Sequence, residues 1–200
     1  MGGQRQARRA SPVDTNLVTN IITLAFSNDP LWSWIFERPD GRTDHYDAFW
    51  RLFVEGALRY RESWITTGEE ATTLWIPPGG TDLTTEQEEL LGELVVRYLG
   101  SKADAHFELF ARLEAAHPRD VDHYFLTLFG THPDRRGGGI GMWLLAHDLE
   151  RIDAERLPAY LESSNPENNQ RYASVGFEPY AEAAIPGGGP VVTTMWRPAI

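Results

Sequence analysis

The stretch HYFLTLFGTHPDRRGGGIG, residues 123–141, decides the fold. Its first part, Tyr124 to Phe129, has the length and apolar character of a buried strand. A glycine-rich loop with two arginines follows, and apolar side chains then recur at the spacing of one helix face: Met142, Leu145, Leu149 and Ile152. Amide groups at a helix N-terminus are unpaired and the helix dipole is positive there, so this arrangement predicts an anion site.

The loop excludes two common nucleotide motifs. It lacks the Gly-Lys-Ser/Thr ending of a P-loop, and Met142 stands where the dinucleotide fingerprint has its third glycine. The spacing that fits is Arg136, two residues, Gly139, one residue, Gly141. It resembles the pyrophosphate loop, Gln/Arg-x-x-Gly-x-Gly/Ala, of the GNAT superfamily of acyl-coenzyme A dependent N-acyltransferases.

A second segment strengthens the resemblance. In AYLESSNPENNQRYASVGF, residues 159–177, Asn165 is followed by six residues, Tyr172, three residues and Gly-Phe, which is similar to the next GNAT motif. Three further stretches resemble the branch that includes puromycin N-acetyltransferase: AFSNDP (25–30), LWIPP (74–78) and LESS (161–164). The resemblance therefore covers almost the whole chain.

The resemblance implies the fold. We expect one α/β (α+β) domain over residues 1–200, with a mixed, mostly antiparallel central sheet flanked by helices and splayed strands that bind acetyl-coenzyme A. Residues 1–12 are polar and predict a flexible arm by composition, whereas the resemblance implies a short first strand near Gln6 to Ala10. Near the C-terminus, Gly187 to Gly189 predict the loop of a final hairpin.

The resemblance also implies which residues contact acetyl-coenzyme A. The end of the strand would bind the pantetheine, the loop would bind the pyrophosphate, and Asn165 would bind the pantetheine arm. The implied set is Phe129, Gly130, Thr131, Arg136, Gly137, Gly138, Gly139, Ile140, Gly141 and Asn165.

Acetyl transfer by direct attack needs a neutral amine nitrogen and a proton for the leaving thiolate. It needs no covalent enzyme intermediate, which suits a chain without cysteine. By the resemblance Tyr172 is the candidate acid, its alternative being a core aromatic role. Glu162 is the candidate base, acting directly or through water; a carboxylate tied to local N–H groups, or one that binds a cationic substrate, is the alternative.

Three histidines are alternative bases: His106, His123 and His147. A structural role is the simpler interpretation of each, and most clearly of His147, which lies within the predicted helix. No close ligand spacing among the histidines favours a metal site. We therefore expect no metal cofactor.

An apolar segment, Leu31 to Phe36, follows Asp29-Pro30. We expect a loop that either packs on the core or lines a pocket. In the second case Trp32, Trp34 and Phe36 would contact the substrate.

Composition limits the partners. The chain has 200 residues, 42% of them hydrophobic, and a formal net charge of −11, so a globular domain is expected and nucleic acid would be repelled at long range. A cationic amine would be tolerated or attracted. The sequence shows no apolar run of membrane-spanning length and no signal peptide, so we expect a cytoplasmic protein without a membrane partner, as a monomer or a homodimer.

The functional hypothesis is an acetyl-coenzyme A dependent N-acetyltransferase that acts on a primary amine of a small molecule. An amine-bearing antibiotic or metabolite would fit, and with it a role in antibiotic resistance. Two alternatives stay open: a protein amine acetyltransferase, and a non-catalytic acyl-coenzyme A binding module. Similarity of fold cannot choose the acceptor.

Overall fold

Seven strands form a single sheet in the computed structural model, which describes residues 5–38, 41–185 and 189–200. In chain order the strands are β1 (Ala7–Arg9), β2 (Trp64–Thr66), β3 (Ala71–Ile76), β4 (Tyr124–Thr131), β5 (Ala159–Ser163), β6 (Glu178–Ala184) and β7 (Val191–Arg197). Their spatial order is β1-β2-β3-β4-β5-β7-β6. Every neighbouring pair is antiparallel except β4 and β5, which are parallel. The predicted mixed, mostly antiparallel sheet is confirmed.

The described residues contain seven α-helices: α1 (Thr15–Phe26), α2 (Pro30–Phe36), α3 (His45–Leu58), α4 (Thr85–Leu99), α5 (Ala103–Ala116), α6 (Ile140–Ala154) and α7 (Asn169–Ala173). The helix predicted after the glycine-rich loop is α6. Strands β6 and β7 pair as the expected final hairpin, although Gly187 and Gly188 of its loop lie outside the described residues. In the part of the chain that the structure describes, no helix combines the length and apolarity needed to cross a membrane.

Alternate side chains of the sheet point to opposite faces and form two separate cores. Leu74 and Ile76 of β3 belong to the larger core, which α1 to α5 cover, while Trp75 between them belongs to the smaller core under α6. Tyr160 and Leu161 of β5 divide in the same way. The sheet is therefore the middle layer of three.

A β-bulge interrupts β4 at Thr127. Leu128 pairs with Leu74 and Leu126 pairs with Trp75, so Thr127 is the extra residue on its strand. In a regular strand Leu126 and Leu128 would face the same side, but Leu126 lies in the smaller core and Leu128 in the larger. The bulge thus reverses the facing of β4 next to the point where its pairing with β5 ends.

The N-terminal segment is a strand. Ala7–Arg9 pair with β2, so the expectation of a flexible arm is wrong for these residues and the short first strand is confirmed. Arg8 donates two hydrogen bonds to the Asp14 carboxylate, at 2.9 and 2.7 Å, and Arg9 lies over the Trp64 ring at 5.2 Å. The Arg8 and Arg9 residues of this edge strand are exposed, so their side chains can stay polar. Composition alone therefore could not reveal it.

The segment from Leu31 to Phe36 is a helix, not the expected loop. Asp29 caps it by accepting hydrogen bonds from the amides of Leu31 and Trp32, and Pro30 occupies the first turn. The Asp-Pro pair, which follows the end of α1 at Phe26, therefore begins α2.

The ion pair that ties β1 to α1 gives a testable contribution to stability. The hydrogen bonds from Arg8, together with the Ser11 amide and hydroxyl, hold the pKa of Asp14 at about 2, below its ordinary 3.8. A lowered folded-state pKa stabilises the fold above the ordinary pKa, and this contribution is lost as the pH falls toward 2. Because Arg8 is 43% exposed, solvent screening reduces the effect.

We expect Asp14→Asn to lower the free energy of unfolding by about 1 kcal/mol at pH 7 and by about half as much at pH 3. Urea titrations at both pH values measure this difference. The exposed surface acid Asp47, changed to Asn, is the control. An equal loss in the two variants, or no change with pH for Asp14→Asn, would contradict the assigned role of the ion pair.

Candidate active site

The candidate site is a cavity at the point where β4 and β5 separate. The two strands pair from Tyr124 and Ala159 only as far as Leu126 and Leu161, although both continue beyond that level. A cavity of about 470 Å³ opens there, with the outer part of β4 on one side and the end of β5 on the other. Its volume is within the range of small-molecule sites. The predicted splayed strands are thus present.

The glycine-rich loop closes one end of this cavity. Gly137 and Gly139 have φ values of 86° and 70°, a left-handed conformation that glycine adopts without a steric penalty, and Gly139 is the N-cap of α6. A Cβ on Gly141 would stand 2.3 Å from the Thr131 hydroxyl oxygen and 3.1 Å from the Phe129 ring. Glycine at 141 therefore lets the helix N-terminus approach β4 closely, with its unpaired amides beside the cavity.

Two arginines add positive charge at this end. Arg135 and Arg136 both line the cavity, and Arg136 donates a 2.7 Å hydrogen bond to the carbonyl oxygen of Ala25 near the end of α1. The helix dipole and these guanidinium groups have the same sign. An anion is thus favoured locally in a chain whose formal net charge is −11.

Tyr172 is held at the cavity by α7, the short helix after β5. Its ring centroid lies 6.3 Å from those of Phe129 and Phe177, and its side chain is half-buried. Burial, with a further contribution from the Asp29 carboxylate, raises the pKa of the Tyr172 phenol above its ordinary value. The phenol is therefore a proton donor at neutral pH.

Glu162 lies near the end of β5, opposite Thr194 of β7. The Tyr160 hydroxyl donates a 3.1 Å hydrogen bond to its Oε1. Burial, and then repulsion from the Asp82 carboxylate, raise the pKa of Glu162 to about 8, while burial raises the pKa of Asp82 to about 6. A carboxyl group with a pKa near neutrality can exchange a proton under ordinary conditions.

Solved structures with the same architecture include several acetyltransferases. One, a histone acetyltransferase HPA2 and related acetyltransferase from Corynebacterium glutamicum, is 21% identical with a TM-score of 0.66, over 99% of this chain and 98% of its own. The Drosophila melanogaster polyamine N-acetyltransferase is 13% identical with a TM-score of 0.68, over 98% and 100%. Arylalkylamine N-acetyltransferase 2 from Aedes aegypti is 13% identical with a TM-score of 0.69, over 99% and 100%.

The chain has the GNAT fold. No protein-family model matches the sequence. The particular likeness to the puromycin N-acetyltransferase branch stays a prediction.

Most of the implied acetyl-coenzyme A contacts converge on the cavity of this GNAT fold. Nine residues of the implied set line it: Phe129, Gly130, Thr131, Arg136, Gly137, Gly139, Ile140, Gly141 and Asn165. Gly138 is the exception, because it lies on the other side of the loop, where its carbonyl oxygen accepts a hydrogen bond from Arg5. Both candidate catalytic residues, Tyr172 and Glu162, line the same cavity.

The aromatic residues expected to contact the substrate do not act as a group. Trp32 lines a smaller cavity of about 50 Å³, which shares Phe26, Thr127, Glu162 and Ser164 with the larger one. The helical geometry of α2 keeps Trp34 and Phe36 away from both of these cavities. Their expected contact with the substrate stays a prediction.

In that helix Phe36 points into the larger core, where it is 1% exposed. Trp34 lies on another side, with its ring centroid 4.9 Å from the Lys102 ammonium nitrogen. Helical side chains two residues apart point in different directions, so Trp32, Trp34 and Phe36 cannot all line one wall.

The three alternative histidines line neither described cavity. His106 stacks on Phe110 at 4.5 Å between ring centroids, and burial lowers its pKa to about 4. His123 shares a 3.0 Å contact between ring nitrogens with His117. His147 lies 3.1 Å from the buried Asp148 on α6. In the described parts of the chain, no three or more potential ligands are grouped closely enough to hold a metal ion.

Sequence reasoning missed Asp29, which is buried and lines the cavity. Its second oxygen accepts a 2.7 Å hydrogen bond from the Ser164 hydroxyl, so one carboxylate joins the start of α2 to the segment after β5. The Asp-Pro pair before an apolar run is a helix N-cap signal that could have indicated part of this role. The contact with Ser164, 135 residues away, has no local signal.

The conformation of Gly139 gives a test of the anion site. We expect Gly139→Ala to weaken coenzyme A binding about 10-fold, because a side chain at φ 70° strains the N-cap and displaces the amides that face the cavity. Isothermal titration calorimetry measures the affinity. Gly79→Ala is the matched control, since Gly79 has φ 73° and open space around it but lies in a turn outside the cavity.

Both alanine variants should lose about 1 kcal/mol of folding stability from the same backbone strain. Only Gly139→Ala should lose affinity. If a folded Gly139→Ala variant binds coenzyme A with the parental affinity, the loop is not part of the anion site.

Proposed function

We propose that this protein transfers an acetyl group from acetyl-coenzyme A to a primary amine of a small molecule. The observation that carries the proposal is the arrangement along one cavity. A glycine-rich loop follows the C-terminal end of β4, and the carboxyl group of Glu162, whose pKa is about 8, lines the same cavity as Thr127 at the bulge within β4. Thr127 and Thr131 are four residues apart, or about 13 Å along a strand, so an extended arm would join the two ends.

The residues of the loop fit the phosphates of coenzyme A. Unpaired amides, two left-handed glycines and two arginines are the groups that bind pyrophosphate in other helix N-terminal sites. The bound substrate would supply a thioester carbonyl to the part of the cavity between the strands. There, β4 has no neighbour in β5 beyond Leu126, which leaves its backbone accessible from the cavity.

The chain's own carboxyl and phenol groups can carry out two of the three proton transfers that the reaction requires. Glu162 in its ionised form would accept a proton from the ammonium group, which leaves a neutral nitrogen able to attack the thioester carbon. As the carbon–nitrogen bond forms and the carbon–sulfur bond breaks, Tyr172 would give its phenol proton to the departing sulfur, and the nitrogen would release its second proton to solvent, which leaves a neutral amide. Solvent would later return a proton to Tyr172 and remove one from Glu162.

A small amine is the acceptor that the site supports best. The cavity beyond Glu162 measures about 50 Å³ and its wall includes Leu31 and Trp32 of α2, so it suits a compact group better than a polypeptide. The ionised carboxyl group of Asp82, and that of Glu162 above its pKa of about 8, favour a cation. Two of the structurally similar proteins are a polyamine and an arylalkylamine N-acetyltransferase, which supports the amine class. A role in antibiotic resistance and a cytoplasmic location stay predictions.

The direct test is a panel of primary amines incubated with acetyl-coenzyme A. The panel should include polyamines, arylalkylamines and amine-bearing antibiotics, with lysine-containing peptides as representatives of protein substrates. We expect amine-dependent thiol release and a product heavier by one acetyl group for at least one small amine. Acetylation confined to peptides would favour the protein acetyltransferase alternative. Tight binding of acetyl-coenzyme A without acetylation of any amine would favour the non-catalytic module.

Glu162→Gln tests the base. In the parental protein kcat/KM should rise with an apparent pKa of about 8 and fall near the amine pKa of about 10, because the reaction uses an ionised carboxyl group and a protonated amine. In Glu162→Gln the rise of kcat/KM near pH 8 should be lost. The value of kcat/KM at pH 8 should be about 100-fold lower than in the parental protein, since the reaction then depends on amine that is already neutral. If kcat/KM of Glu162→Gln still rises near pH 8, the apparent pKa of about 8 belongs to another group.

Tyr172→Phe tests the acid. The ring keeps its packing against Phe129 and Phe177 while the phenol proton is lost, so affinity for acetyl-coenzyme A should hold and kcat should fall about 100-fold or more. The loss should shrink for an acyl donor whose leaving group is a weaker base. Parental turnover with acetyl-coenzyme A would show that Tyr172 is structural.

A further inference from the structure

Arg5 reaches from the N-terminal segment to the glycine-rich loop. Its Nη2 donates a 2.6 Å hydrogen bond to the carbonyl oxygen of Gly138, and its Nη1 lies 3.5 Å from the carbonyl oxygen of Gly139. These contacts join parts of the chain that are more than 130 residues apart. Arg5 does not line the cavity, so it holds the loop from the outer side.

The geometry of the peptide bond gives this contact a consequence inside the cavity. In a trans peptide the carbonyl and the following N–H point in opposite directions. With the Gly138 carbonyl turned outward to Arg5, the amide of Gly139 is turned inward. Gly139 lines the cavity and Gly138 does not, which agrees with this orientation.

The reach of Arg5 depends on the strand beside it. The carbonyl oxygen of Gln6 accepts a 2.9 Å hydrogen bond from the amide of Thr67, just beyond the β1–β2 pairing, so the backbone next to Arg5 is fixed. The two arginines of β1 have other partners: Arg8 pairs with Asp14, and Arg9 donates to the carbonyl oxygen of Arg61 at 2.6 Å. In this strand and the residues before it that the structure describes, Arg5 is the arginine that contacts the loop.

We propose that Arg5 is a positioning residue for the coenzyme A pyrophosphate. It holds the flexible Gly137–Gly139 segment in the conformation that presents the Gly139 amide, and it adds a third guanidinium to the pair at Arg135 and Arg136. This inference rests on the proposed function. A loop of three consecutive glycines has many accessible conformations, and each amide fixed in advance reduces the entropy cost of binding.

The test compares Arg5→Ala and Arg5→Lys with the parental chain and with Arg9→Ala, which removes a neighbouring arginine that does not contact the loop. Calorimetric titration with coenzyme A gives Kd, thermal unfolding gives Tm, and steady-state kinetics separate KM from kcat. We expect Arg5→Ala to raise the Kd for coenzyme A and the KM for acetyl-coenzyme A about 10-fold. Its kcat, its KM for the amine and its Tm should stay close to those of Arg9→Ala, a pattern that a general structural role would not produce.

Arg5→Lys should recover only part of the affinity, because an ammonium group restores the charge without the planar fork that reaches both carbonyls. Full recovery in Arg5→Lys would overturn the orienting role, and so would a parental Kd in Arg5→Ala. The parental titration separates this inference from the proposed function. If the parental chain does not bind coenzyme A, both fall; if it binds and Arg5→Ala binds equally well, the role of Arg5 alone falls.

Discussion

The separation of β4 from β5 is the constraint on which the rest of the site depends. Two parallel strands that start in register at Tyr124 and Ala159 would normally continue to bond, and β4 runs five residues beyond their last pair at Leu126. The bulge at Thr127 reverses the facing of β4 there, and the segment after β5 is tied to Asp29 instead. The backbone groups that the strands do not give each other are available to a ligand.

The two ends of this opening carry charged groups of opposite sign. Guanidinium groups and a helix N-terminus lie at the end where α6 begins, whereas Glu162 lies in the influence of the buried Asp82 carboxyl group. A substrate with phosphates at one end and a second substrate with an ammonium group would be sorted by these fields before any specific contact forms. Long-range net charge, −11 for the chain, says little about the loop, where local arginines dominate.

The predicted GNAT fold is confirmed, and the features that sequence revealed are those whose signals are local. The glycine-rich loop, the helix after it and the Tyr172 segment each carry their pattern within about twenty residues. The features that sequence missed depend on distant partners: Asp29 gains Ser164 from across the chain, and Arg5 reaches Gly138. Composition alone also missed β1, which the resemblance implied and which forms because a sheet edge accepts its backbone. In the helix capped by Asp29, the rings of Trp32 and Phe36 pack together while Trp34 lies on another side.

A crystal structure of the protein with coenzyme A tests the central claim most directly. We expect the pyrophosphate within hydrogen-bond distance of the amides between Gly137 and Gly141, and the sulfur between β4 and β5 beside Tyr172. Coenzyme A bound at another surface would contradict the account. So would a complex in which β4 and β5 continue to pair beyond Leu126 and leave no room between them.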